Sequence, residues 1–507
     1  MKLERGSGIL LHITSLSGKE FSGTMGSEAY DFADFLDKSG IMYWQILPLG
    51  PISGGMSYSP YASPSTFAGN PLFISCDELS KAEWFGKKID FPRTDEPEQI
   101  DFEQAASFKM NILREAASSF FSPKNGEQAQ YDSFCAANAF WLEDFALFRA
   151  LSQKFTSDNW RSWPDAVRTR QSQAMRALSS ELKEEIRLHK FIQYIFFSQW
   201  TRLKSYCNSK NIKIIGDMPL YISPDGADIW ANTGIFQLNK DYTPTLVAGV
   251  PPDYFSETGQ RWGNPLYKWF KRKKKLYKPT LKWWTNRLRH LKSHLDIVRI
   301  DHFRGLESYW AIPSAEETAV NGKWLPGPGL PFFRKLQKEL GDLPLIAEDL
   351  GIITPEVEEL RDSLSLPGMK ILQFAFDGNN KNHYLPHNIE NANCVFYTGT
   401  HDNNTMNGWF YNSETDNGTQ KYVMTYLDTD KFSDIHKRFI RAIYASSARV
   451  AITPMQDVLG FGAEHRMNTP GTVDKNWRWH CKKEYFSEEL AQKLNFLGRL
   501  YNRNKNA

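Results

Sequence analysis

Charge of one sign is what this 507-residue chain most plainly lacks: 61 Lys and Arg stand against 58 Asp and Glu, a formal net of +3. Such a balance offers no whole-molecule field to gather nucleic acid or an anionic membrane surface. The one dense basic run, KRKKKLYK at 271–278, is local and reads as a solvated face. Cysteine is scarce too. The five thiols, Cys76, Cys135, Cys207, Cys394 and Cys481, are odd in number, widely spaced and without any C-x-x-C pair. That argues against a disulfide framework and a zinc site, and for a reducing, cytoplasmic compartment. No apolar run approaches the roughly 18 residues that cross a bilayer, and the opening MKLERGSGILLHITSLSG has no secretory hydrophobic core. Phosphate loops are missing as well: GSGILL at 6–11 fails G-x-G-x-x-G at its last position, and no P-loop occurs. With no metal-ligand spacing either, neither a cofactor nor a catalytic metal is expected.

What the chain does have is aromatic side chains, 14% of all residues, including 16 Trp. Rings with polar handles suit clefts that stack flat apolar ligand faces, of which sugars are one kind. Eight short apolar segments also recur, each closing in polar, Gly or Pro residues: 8–15, 41–51, 212–219, 296–303, 343–351, 369–377, 394–402 and 448–457. Helical patterns separate most of them, such as 27–40, 354–364 and 434–447. Near-continuous hydrophobic strands alternating with helices imply a parallel sheet covered on both faces. Eight such units predict an α/β chain folded as one (β/α)8 TIM barrel over 1–507. A two-domain doubly wound sheet is the alternative.

The spacing is uneven. Amphipathic helical text fills 76–205 between strands two and three, which reads as a mostly helical insertion. Residues 220–290, between strands three and four, are rich in Gly, Pro and aromatics and read as ordered loops. Insertions in βα loops fall on the C-terminal face of a barrel, where active sites form.

Four strands end in a carboxylate: Asp217 closes IIGD, Asp301 closes VRID, Glu348 closes LIAE, and Asp402 follows TGTH. A single strand-end Asp commonly caps the next helix. Four acids, three of them beside His, Arg or another acid, point instead to a shared pocket with acid–base or covalent chemistry. Residue type alone leaves a Mg²⁺ or Mn²⁺ site open, but Arg299 beside Asp301 disfavours a cation.

The segments VRIDHFRG, IAEDLG, GTHDNNT, GDMPLYI…ADIWAN and PPDYFSETGQRWGNPLYKW resemble those of the 4-α-glucanotransferases, the amylomaltases of glycoside hydrolase family 77. SPYASPSTFAGNPL and PMQDVLGFGAEHRMNTPGT…NWRW extend the resemblance over essentially the whole chain. It implies transfer of α-1,4-glucan segments between maltooligosaccharides, amylose, glycogen or starch, on an α-amylase-type barrel without a separate C-terminal β domain. In that family the catalytic acids follow strands four, five and seven. The strand count puts Asp301, Glu348 and Asp402 there.

The resemblance implies a retaining mechanism, which needs two carboxyl groups about 5–5.5 Å apart. Asp301 is then the nucleophile, Glu348 the acid/base and Asp402 the stabiliser of the distorted donor ring. Arg299, two residues before Asp301 in a strand, shares its face and should hold it ionised. Glu348 must carry a proton near neutrality, so its pKa should be raised. Asp349 should point away from the pocket. His302 and His401 flank catalytic acids and should meet sugar hydroxyls. Ser59, Tyr61, Asp217 and Asn468 match donor-side positions, with Tyr61 stacking on the sugar. Asp253, Tyr254, Phe255 and Trp262 belong to a lid over 251–265 that excludes water and contacts glucan.

Two departures stand out. HITSLSG at 12–18 lacks both prolines of the common H-P-T-S-L-P-G, and Met56 stands where some relatives carry a tyrosine of a secondary glucan groove. That groove is therefore not carried over. A glucan hydrolase using the same acids is the competing activity, and a catalytically dead glucan-binding barrel a further one.

Overall fold

All eight apolar segments form strands, and every pairing between them is parallel. The computed structural model describes residues 3–91, 99–122, 127–252, 256–271, 275–412 and 415–505. The strands are β1 (Gly6–Leu10), β2 (Tyr43–Gln45), β3 (Lys213–Met218), β4 (Ile297–Ile300), β5 (Leu345–Ala347), β6 (Gly368–Ile371), β7 (Cys394–Tyr397) and β8 (Val450–Pro454). Their order in the sheet is β5-β4-β3-β2-β1-β8-β7-β6. The two ends meet: the Ala347 N–H donates to the Pro367 carbonyl at 2.9 Å, and the Met369 N–H to Asp349 at 2.6 Å. The sheet is thus a TIM barrel.

Alternation of side chains explains why each strand is apolar throughout. Ile215, Ile297, Ile346, Met369, Val395 and Ile452 fill the barrel interior. Their neighbours Ile214, Val298, Ile300 and Leu345 join the larger core between barrel and helices. Both faces are buried, so neither is polar. The helices Ser27–Lys38, Pro355–Ser363 and Ile435–Ala445 lie within two residues of their sequence-expected ends.

The long connections carry their own structure. Between β2 and β3 the main elements are the helices Phe102–Phe120, Gln128–Phe155 and Lys183–Ser209. Fully buried Lys109 of the first pairs with Glu20 from the β1 loop and holds that helix to the barrel. Between β3 and β4 the expected loops contain strands. Leu246–Val250 and Gln260–Pro265 join Ser308–Pro313 and Lys323–Pro326, from beyond β4, in a four-stranded antiparallel sheet. All five cysteines are free thiols. No helix among the described residues is long and apolar enough to cross a membrane.

Candidate active site

β4 alternates inward and outward, so Ile297 and Arg299 face the interior and Asp301 follows them at the strand's end. Arg299 lies opposite Asp217 of β3 in the parallel register. Its Nη1 donates to both Asp217 oxygens, at 2.8 and 2.7 Å, and to Asp301 Oδ1 at 3.1 Å. The Tyr61 hydroxyl donates to Asp217 Oδ2 at 2.7 Å. The Asp217 side chain is wholly buried by these partners. Expected among the sugar contacts, it is buried and turned to Arg299 and Tyr61, which take three of its roughly four lone-pair sites.

Asp301 and Glu348 are tied through the backbone between them. His302 adopts a left-handed conformation, φ 53° and ψ 48°, uncommon for a residue with a Cβ. Its N–H donates to Glu348 Oε2 at 2.6 Å, while the Leu350 N–H donates to Oε1 at 2.9 Å. Strain at such a position is kept where the surroundings over-determine it. The residue after Asp301 thereby holds Glu348 in place.

The acids titrate differently. Burial pushes Glu348 up to about 7, against Arg299 and its two N–H donors and with help from the Asp301 charge. For Asp301, burial also outweighs Arg299, and the Asp217 and Asp402 charges add to it, giving about 6. The sequence reading expects Arg299 to hold Asp301 low, but the guanidinium is shared with Asp217. Asp301 is ionised at neutral pH by a narrower margin than that reading implies. At Asp402 the burial effect is overcome by His401, Asn468 and Arg299, which bring it to about 2.

Asp402 is held from several sides. Asn468 Nδ2 donates to its Oδ1 at 2.7 Å, His401 Nε2 lies 3.3 Å from its Oδ2, and Arg466 donates to its backbone carbonyl at 2.7 Å. Arg466 escapes the sequence reading, although it sits two residues before Asn468 in the same segment. The Tyr61 ring stacks on His401 at 5.0 Å and 15°. Ser59 accepts the Tyr61 N–H and so shapes the turn carrying that ring. Trp262, 38% exposed, meets the His302 ring edge to face at 4.8 Å. Asp253, Tyr254 and Phe255 lie outside the described residues. Asp349 turns from the cleft to the β5–β6 seam, where it also accepts from Arg361 at 2.6 Å. Contacts thus run from Asp301 through Arg299, Asp217, Tyr61 and His401 to Asp402.

Residues 11–485 match the family model described as 4-alpha-glucanotransferase. A 4-alpha-glucanotransferase of Clostridium butyricum is 45% identical over 497 residues, covering 97% of this chain and 100% of that protein. Another, from Synechocystis, is 43% identical and covers 99% of this chain and 98% of its own. Among solved structures, an amylomaltase from Streptococcus agalactiae in complex with acarbose superposes with a TM-score of 0.92 at 37% identity, covering 99% of this chain and 100% of that one. Barrel, acids and whole-chain similarity agree, and the protein belongs to the 4-alpha-glucanotransferase family, glycoside hydrolase family 77.

Proposed function

We propose that this 4-α-glucanotransferase cuts α-1,4-glucans by a retaining double displacement centred on Asp301 and Glu348. Asp301 attacks the anomeric carbon of the donor and forms a β-glucosyl-enzyme as the glycosidic bond breaks. Glu348 gives its proton to the departing oxygen. It then takes the proton of the acceptor's 4-hydroxyl, which attacks the same carbon and releases Asp301. Asp402 grips hydroxyls of the donor ring in its distorted state. Tyr61 and His401 form a stacked platform beside it, and His302, Asn468 and Trp262 supply further sugar contacts.

The observation that carries this reading is the bond from the His302 N–H to Glu348, which fixes the acid/base against the residue next to the nucleophile. Arg299 is the shared counter-charge, and Asp217 aims it. We assign the walls of the cleft to the segments 76–205 and 220–290. To the segment 251–265, whose paired strand Gln260–Pro265 carries Trp262 against His302, we assign the exclusion of water, so that a glucan meets the intermediate. Maltooligosaccharides are the substrates to try first, since a relative of the same fold binds acarbose.

Incubation with maltotriose tests the transfer. Glucose with a ladder of longer maltodextrins is the expected product set, and glucose plus maltose alone would make the enzyme a hydrolase. Asp301→Asn and Glu348→Gln should each lower kcat by at least about 10³-fold, the order lost when a covalent or acid–base group is removed. Full activity in both would refute the assignment.

A further inference from the structure

Asp457 is a buried carboxylate that this reaction leaves unused. It lies in the short helix Met455–Leu459 directly after β8 and is 1% exposed. Its Oδ2 accepts the Thr398 hydroxyl at 2.7 Å, and its Oδ1 accepts the Met406 N–H at 2.7 Å. These partners stand at the two ends of one turn. Thr398 follows the last residue of β7, Met406 opens the helix Met406–Tyr411, and His401 and Asp402 lie between them. Inside the turn, Asn403 Oδ1 accepts from the Thr400 N–H and hydroxyl, and Gln373 donates to the Asn404 carbonyl. Burial pushes the Asp457 carboxyl up to about 6, and no cation among the described residues pairs with it. A lone acid in such a place is expensive to keep, and what it does there is bridge the two ends of a nine-residue stretch, 398–406.

We propose that Asp457 is a positioning residue for glycosyl transfer: by bracing both ends of the 398–406 turn it fixes where the Asp402 carboxylate meets the donor ring. It touches no substrate. Its effect passes through Asp402, and the inference therefore rests on Asp402 gripping the distorted donor. Loss of the brace lets Asp402 drift from the geometry of the transition state while the ground-state contacts of the glucan persist. The damage should fall on kcat and on ligands that mimic the flattened ring, more than on KM. An amide can keep the brace. Its oxygen accepts the Met406 N–H, and its NH₂ donates to the Thr398 oxygen once that hydroxyl turns round.

The test compares Asp457→Ala, Asp457→Asn and Thr398→Val, with Asp402→Asn as reference, on the full chain and below each variant's melting temperature. Maltotriose transfer gives kcat and KM, and calorimetry gives the affinity for acarbose. Asp457→Ala should lose about 10–100-fold in kcat, the scale of an ångström-sized misplacement. Acarbose should weaken by a similar factor, with the maltotriose KM within about threefold. Asp457→Asn should stay within about threefold throughout, and Thr398→Val should fall between. The proposal is overturned if Asp457→Ala folds and keeps kcat and acarbose affinity within twofold, or if its KM rises while kcat holds. Should Asp457→Ala fail to fold, Thr398→Val decides alone, and unchanged kcat and acarbose affinity there overturn it. Wild-type activity in Asp402→Asn would instead defeat the role given to Asp402 itself.

Discussion

Arg299 carries more of the site than any other single residue. One guanidinium nitrogen serves both Asp217 oxygens and one of Asp301, while Nε lies 3.3 Å from the Met369 sulfur. Lysine keeps the charge but loses the flat head and the Nε–H at Met369 that seat this nitrogen between the two acids. Arg299→Lys should therefore cost about 10²-fold in kcat/KM, measured on maltotriose, with Tyr61 and Asp217 set adrift as well. The coupled carboxyls also predict the pH profile. The proposed mechanism needs Asp301 ionised and Glu348 protonated, so kcat/KM should trace a narrow bell with limbs near the pair's values of about 6 and about 7. Arg299→Gln removes a cation that favours both ionised forms, and its acid limb should move to higher pH. The same shift acts on stability. Asp301 titrates above its ordinary 3.8, so its charge opposes folding at pH 8, and that cost fades as pH falls through about 6 toward 3.8. Asp301→Asn should unfold about 1–2 kcal/mol harder than wild type at pH 8, with the gain gone near pH 4; no difference at pH 8 in denaturant titration would contradict this.

Between elements, the β5–β6 seam is the place where the barrel depends on a side chain. Asp349 accepts from Met369 and Arg361 where the parallel ladder is thinnest, and a Cβ on Gly368 would lie 2.4 Å from its Oδ2. Gly368→Ala should destabilise by about 2 kcal/mol or more, as an overpacked buried site does, and Asp349→Ala by about 1–3 kcal/mol through the bare Met369 N–H, with Arg361 keeping its bonds to Asp362. Both are read by urea unfolding. Legibility follows from the same local physics. The barrel strands were readable because burial on both faces leaves an unbroken apolar run, and the acids because a charge closing such a run is out of place. The small antiparallel sheet was not readable. Gln260–Pro265 is exposed over its first half and shows no alternation, and Leu246–Val250 pairs with Ser308–Pro313 from beyond β4, a partner no local window contains. Asp217 shows the other limit: its residue type announces a functional acid, and only the register opposite Arg299 shows that it faces inward to a cation.

At the scale of the molecule, the two ends of the barrel divide their labour. The carboxyl end gathers Asp217, Arg299, Asp301, Glu348 and Asp402, while the amino end is closed by Arg503, which is wholly buried. Its guanidinium donates to the carbonyls of Gly6, Ile443, Tyr444, Ser446, Ala448 and Arg449. No carboxylate among the described residues pairs with it, and burial brings its pKa down to about 9. It thus ties the last segment of chain to β1 and to the approach to β8. Arg503→Met should destabilise by at least about 3 kcal/mol, since six carbonyls each lose a buried bond, although those of Ile443, Ser446, Ala448 and Arg449 keep a second donor. Below its lowered melting temperature kcat should match wild type, because residues at this face serve stability rather than catalysis. A fall in kcat without a fall in stability would contradict that division.

The four-stranded sheet beside the cleft has a consequence for how the protein is made. Two of its strands leave the ribosome before β4 and two after it, so the first pair waits for about 60 residues of further chain. At about 5–20 residues per second, that is roughly 3–12 s during which Leu246–Val250 offers a bare edge to any passing strand. β4, which ends next to Asp301, emerges within that interval. The small sheet and the strand that delivers Asp301 are therefore completed together, with the sheet closing at Pro326 and roughly a third of the chain still to come, and a holdase chaperone bound over this interval would protect both at once.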